Sequence, residues 1–203
     1  MFLHPLRFML AMMLAFFALG STATAQIGQS KGYLFLEAIK DAKSEDVKKY
    51  LSEPGTRIVD TKDYSTGETA LHIVAKRGDA VYTRYLLAQG ANPNLRDVRG
   101  NTPLLVATGL DAGEVVAALI KGKASVNLGN DSGETPLIRA VQLRSISLVR
   151  ALLAAGADPD QADSLAGYSA RDYARQDTRT PLLAKLIDEV PKRDRRAVAG
   201  PKF

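Results

Sequence analysis

Acid–base catalysis at neutral pH usually relies on histidine, and this chain has two, His4 and His72. It has no cysteine, which removes a disulfide framework, a thiolate metal site and a cysteine nucleophile together. A zinc site would have to lean on carboxylates around His72, and no H-x-x-x-H or similar spacing is present. A serine triad would need His72 as its base, and no G-x-S-x-G elbow accompanies it. No G-x-x-x-x-G-K-[ST] loop is available to cradle phosphate. These residue types and spacings argue against an enzyme and against any cofactor site.

The charge balance excludes a second class. Of the formal net charge of +5, none lies in residues 26–191, where 21 Lys and Arg face 21 Asp and Glu. Arg7 supplies one charge and the last twelve residues the rest, through Lys192, Arg193, Arg195, Arg196 and Lys202 against Asp194. A nucleic-acid-binding domain needs a basic folded face, so no nucleic-acid partner is expected.

The elements that would position His72 follow from a repeat. Gly67-Glu68-Thr69-Ala70-Leu71-His72, Gly100-Asn101-Thr102-Pro103-Leu104-Leu105 and Gly133-Glu134-Thr135-Pro136-Leu137-Ile138 stand 33 residues apart. A degenerate copy, Gly167-Tyr168-Ser169-Ala170, follows after 34. A second motif keeps phase with the first: Tyr85 to Asn94 (YLLAQGANPN), Ala118-Leu119-Ile120 through Asn127, and Ala151 to Asp160 (ALLAAGADPD). Thr69, Thr102 and Thr135 suit helix N-caps, and Pro103 and Pro136 suit the first helical position. Gly90 and Gly156 suit a left-handed turn after the second helix of each unit. Leu71, Leu104, Leu137 and the Leu-Leu pairs supply a core shared between neighbouring units.

The two linked motifs resemble the ankyrin repeat, with its G-x-T-P-L-H-x-A opening and L-L-x-x-G-A-x-x-N close, over about Leu34 to Val190. The resemblance implies an all-α ankyrin-repeat solenoid of about five helix-turn-helix repeats with short β-hairpin loops. The repeats fall near 34–63, 64–96, 97–129, 130–162 and 163–190. It also gives His72 a structural role, orienting its turn through hydrogen bonds within the fold. The end units read as caps: Phe35 to Ile39 and Val47 to Leu51 at one end, Ala170 to Ala174 and Pro181 to Ile187 at the other. Departures from the pattern stand at Lys123, in place of Gly90 and Gly156, and at Asp111 and Arg144, in place of Gly78. A left-handed lysine costs roughly 1 kcal/mol, so the third unit is expected to be the loosest.

The same resemblance implies a partner-binding surface made of hairpin tips and inner helices. Its variable tip positions are Thr66 and Glu68, Arg99 and Asn101, Ser132 and Glu134, then Tyr168. Its variable inner-helix positions are Ile73 and Arg77, Val106 and Leu110, then Arg139 and Leu143. Val106, Leu110 and Leu143 form an apolar centre rimmed by Arg77, Arg99, Arg139 and acids, a composition that suits a protein interface. Leu110 and Leu143 have an alternative, which is to fold inward over the helix ends.

Outside the repeats, Arg7, the apolar run Phe8 to Leu19 and the small residues Ala23 and Ala25 are ordered as a secretory signal peptide cleaved after Ala25, with an uncleaved membrane anchor as the alternative. Twelve apolar residues are too few to span a bilayer, which takes about 20, and no cysteine follows for lipidation. Residues 26–33 read as a short linker and 191–203 as a basic disordered tail. Lys192, Arg193, Arg195 and Arg196 offer a weak contact to an anionic membrane, against a plain solvated end. The expectation is a monomeric, periplasmic or secreted protein-binding module that inhibits, protects or scaffolds an envelope protein. An immunity protein against a periplasm-acting toxin and a membrane-associated structural protein are the alternatives.

Overall fold

The structure, a computed structural model, describes residues 30–52 and 57–191. The signal segment 1–25, the first linker residues and the basic tail from Lys192 lie outside the described residues. Ten α-helices occur among those described. α1 (Lys31–Lys40) and α2 (Ser44–Leu51) form one helix pair in a compact unit of their own, ahead of the unit that begins at Val59. The second unit holds α3 (Ala70–Arg77), α4 (Ala80–Ala88), α5 (Pro103–Gly109), α6 (Gly113–Lys121), α7 (Pro136–Gln142), α8 (Ile146–Ala154), α9 (Ala170–Gln176) and α10 (Pro181–Asp188).

The first helix begins three residues before the expected domain start at Leu34. Ser30, inside the expected linker, accepts a hydrogen bond at Oγ from the Tyr33 N–H at 3.2 Å and caps α1. Phe35, Leu36, Ala38, Ile39 and Val47 are buried, and the Phe35 ring meets Tyr50 edge-on at 6.4 Å.

In the second unit each helix is only 7–9 residues long, too short to persist alone in water. Packing supplies the stability. α3, α5, α7 and α9 stack in order as an inner row, and α4, α6, α8 and α10 as an outer one. Leu71, Leu104, Leu137 and Ile138 from the inner row join Leu86, Leu119 and Leu152 from the outer row, all within 1% of full burial. Thr102 and Thr135 cap α5 and α7 by accepting from the Leu105 and Ile138 N–H groups, each at 3.2 Å, with proline next in both.

The tips between helix pairs are tight turns, and no strand forms among the described residues. The one β-type pairing there is an isolated bridge between Ala162 and Ser169. Backbone bonds close the tips, such as Asp97 N–H to Asn101 O at 2.9 Å with Gly100 N–H to Asp97 O at 3.0 Å, and Asn130 N–H to Glu134 O at 3.0 Å with Gly133 N–H to Asn130 O at 2.8 Å. An Asp or Asn at the tip start folds the chain back on its own amides, as Asp163 does for Leu165, Ala166 and Gly167, so no residues remain extended enough to form a ladder. Neighbouring tips are bonded instead to each other. Val98 donates to Thr66 O at 3.0 Å, Asp131 to Arg99 O at 3.2 Å and Ser164 to Ser132 O at 2.8 Å. This close approach requires glycine: a Cβ on Gly133, where φ is +72°, would lie 2.9 Å from the Ser164 nitrogen.

The Asn that closes each repeat reaches the next one. Asn94 Oδ1 accepts from the Ser125 N–H and Asn127 Oδ1 from the Asp158 N–H, both at 2.7 Å. At the close of the fourth repeat Asp160 takes a different partner, the 4%-exposed Arg171 of the last unit, which also reaches Asp188 and the carbonyls of Ile187 and Val190. This buried guanidinium ties α9 and α10 to the preceding repeat.

The three departures from the repeat pattern are all left-handed, with φ of 53° at Asp111, 57° at Arg144 and 63° at Lys123; Ala42, between α1 and α2, shares this conformation at 55°. Asp111 accepts from Ser145 Oγ at 2.7 Å and Arg144 pairs with Asp177 at 2.9 Å. Two of the unfavourable turns thus carry a bond to the following helix pair.

Candidate functional site

His72 sits fully buried at the third position of α3. Its Nδ1 accepts from the Thr69 backbone N–H at 3.1 Å, and its Nε2 lies 2.9 Å from Asn101 O. An accepting Nδ1 leaves the ring proton on Nε2, which donates to that carbonyl. Burial pushes the imidazole below its ordinary value, against the opposing pull of the Asn101 hydrogen bond and the charges of Asp97 and Glu68. A neutral, fully bonded histidine shielded from solvent has neither the access nor the spare nitrogen of a general base. It joins one repeat to the tip of the next, in line with the structural role that the resemblance implied. The equivalent residues Leu105 and Ile138 are buried and apolar, while Asp172 rebuilds the cap in the last repeat by accepting from the Ser169 N–H at 3.0 Å. Among the described residues, no group of three or more His, Asp or Glu side chains is gathered to hold a metal ion.

The tips and the inner helices instead enclose an open cleft of about 620 Å³. Six of the expected residues line it: Arg99, Asn101, Val106, Leu110, Ser132 and Arg139. α5 supplies its apolar floor through Val106 and, at its C-cap, Leu110. Leu110 is 56% exposed and Leu143 44%, so the alternative in which they fold inward does not hold. A left-handed residue follows each, and the turn leaves both side chains in solvent.

Arg139 lies along the cleft with its Nε and Nη2 on the Glu134 carboxylate. That pairing holds the guanidinium more firmly protonated than usual, outweighing its burial. Nη1 lies 3.2 Å from where a Cβ on Gly109 would be, so the glycine leaves room for the arginine. Asn101 donates to Asp97 Oδ2 at 3.0 Å and accepts from Asn130 Nδ2 at 3.2 Å. Burial opposes ionisation of Asp97, yet bonds from the Asn101 side chain and from the Asn101 and Arg99 amides hold its carboxyl below the ordinary range. The tip is therefore fixed beneath the exposed Arg99.

The other expected residues lie outside the cleft lining. Arg77 turns to Asp79 at 3.0 Å and lies 5.4 Å from the centre of the Tyr82 ring, which removes it from the expected rim. Glu68 pairs with Lys76, Thr66 accepts from the Val98 N–H with its carbonyl and from the Glu68 N–H with its hydroxyl, and Ile73 is half-buried. Leu143 caps α7, and the Tyr168 ring packs edge-on against Tyr173 at 5.5 Å. Sequence reasoning missed Lys76, Val98, Leu105, Gly109, Asn130 and Asp131, which complete the lining. Val98 was legible in principle: an apolar residue between the tip Asp and Gly has no core to enter, and it is 63% exposed.

Comparison with known proteins agrees with this architecture. The model for ankyrin repeats (three copies) matches residues 35–129 and 84–163, more than half of the chain. Human neurogenic locus notch homolog protein 4 is 45% identical over 58 residues, which is 29% of this chain and 3% of that protein. Neurogenic locus notch homolog protein 1 of Xenopus laevis is 34% identical over 89 residues, 44% of this chain and 3% of its own. The nuclear factor NF-kappa-B p110 subunit of Drosophila melanogaster is 36% identical over 69 residues, 34% of this chain and 7% of its own. The chain thus spans only a small part of the length of these relatives. Ankyrin repeats are typically non-catalytic modules that bind other proteins, and this chain belongs to the ankyrin-repeat family.

Proposed function

We propose that this chain is an exported protein-binding module that acts in the periplasm, where it inhibits, protects or scaffolds an envelope protein through the cleft between its tips and inner helices. The observation that carries the binding site is the exposure of Val98 and Leu110 beside Arg99 on a backbone bonded from tip to tip. Two large apolar groups exposed within one cleft, beside a cation, favour an interaction surface there. Export rests on the order of Arg7, the apolar run Phe8 to Leu19 and Ala23 and Ala25.

The test is affinity capture from periplasmic extract with the wild-type chain and with Leu110→Arg. One retained protein, lost with the variant, is expected. Recovery of the same proteins by both forms contradicts the assignment of the site. N-terminal sequencing of the protein isolated from that fraction is expected to begin at Gln26.

A further inference from the structure

We propose that the cleft takes an acidic segment of the partner protein, with one carboxylate on Arg99 and a neighbouring apolar side chain against Val106 and Leu110. This rests on the reading of the cleft as the binding face and adds the chemistry of what fills it. The charged residues lining the cleft are Lys76, Arg99, Arg139 and Asp131. Three are already neutralised within the chain: Lys76 by Glu68, Arg139 by Glu134, and Asp131 by Arg96 at 2.9 Å. Arg99 is the cation of this set with no carboxylate partner among the described residues. Its backbone is held on both sides, the N–H by Asp97 Oδ1 at 2.8 Å and the carbonyl by the Asp131 N–H at 3.2 Å. The guanidinium is thus offered from a fixed tip next to the exposed Val98.

An occupant without an acid would take water from Arg99 and return no partner, and a basic one would add repulsion. That disfavours the chain's own tail, where Lys192, Arg193, Arg195 and Arg196 outnumber Asp194. A carboxylate satisfies the planar guanidinium with two parallel bonds. Arg139 contributes a second donor, because Nη1 remains after Glu134 has taken Nε and Nη2, and it suits a carbonyl of the same segment. Val106 and Leu110 supply the apolar anchor point, as buried anchors carry most interface affinity.

The experiment selects a phage-displayed library of random peptides on three full-length proteins: wild type, Arg99→Glu and Leu110→Asp. Both sites are exposed, so matching thermal melts are expected and establish that all three fold. On wild type, the enriched peptides are expected to carry Asp or Glu within a few residues of Leu, Ile, Phe or Met. On Arg99→Glu the acidic preference is expected to give way to Lys or Arg, and a peptide selected on wild type to bind about tenfold more weakly. On Leu110→Asp that selection is expected to be lost. Enrichment that depends on Leu110 but shows no acidic bias, or is unchanged by Arg99→Glu, overturns this inference and leaves the binding face standing. Peptides indifferent to both substitutions, or no enrichment over Leu110→Asp, overturn the binding face as well.

Discussion

His72 is held neutral by burial, with both ring nitrogens engaged, and the consequence for pH can be given a sign. Its pKa is lowered on folding, so the unfolded chain binds its proton first as pH falls. The stability it contributes is complete above the ordinary imidazole value of about 6.5 and declines as pH drops from there toward the folded value. Denaturant midpoints from pH 7.5 down to pH 5 are expected to fall for wild type and to flatten in His72→Leu, the residue type found at Leu105. Equal slopes would remove His72 as the source. Asp97 and Asp163 have lowered values too, and their contributions are lost only at more acidic pH. At Lys123 the left-handed φ of 63° has no side-chain bond to offset it among the described residues. Asp111 and Arg144 each gain one. Lys123→Gly is expected to stabilise by about 0.5–1 kcal/mol, and Asp111→Gly to give no gain, both read from chemical denaturation. A gain at Asp111 as large as at Lys123 would contradict this account of the turns.

At the scale of the element, short helices persist because side chains bind one repeat to the next. Arg171 is one of these ties, buried and bonded to Asp160, Asp188 and two carbonyls. Arg171→Met leaves Asp160 in place without its cation and is expected to cost about 3 kcal/mol. Hydrogen exchange is expected to show α9 and α10 opening before α5 and α7 in that variant; uniform opening would mean that the tie is not local. Helix starts and turns were legible because Thr102, Pro103, Gly90 and their counterparts each answer a backbone requirement that depends on nearby residues alone. The inter-repeat bonds were not: nothing in the spacing of Arg96 or Arg171 shows that one reaches Asp131 and the other Asp188. The same limit applied to the site. The resemblance placed Val106 on α5 and Leu110 at its end, whereas Arg77 was lost because Asp79 and Tyr82, two and five residues on, compete for its guanidinium.

For the whole molecule, the cleft joins three successive repeats, contributing Lys76, Val98 to Leu110 and Asn130 to Arg139, and no single repeat contains it. Binding is therefore tied to the integrity of the stack. The central claim is that a partner sits in this cleft, and in-cell photo-crosslinking tests it most directly. A photoreactive phenylalanine analogue would replace Leu110 in the cleft or Val81 on α4, which is 69% exposed and outside the cleft lining. Illumination is expected to trap one partner species from position 110 and none from position 81. Equal crosslinking from both positions, or from position 81 alone, would contradict the account.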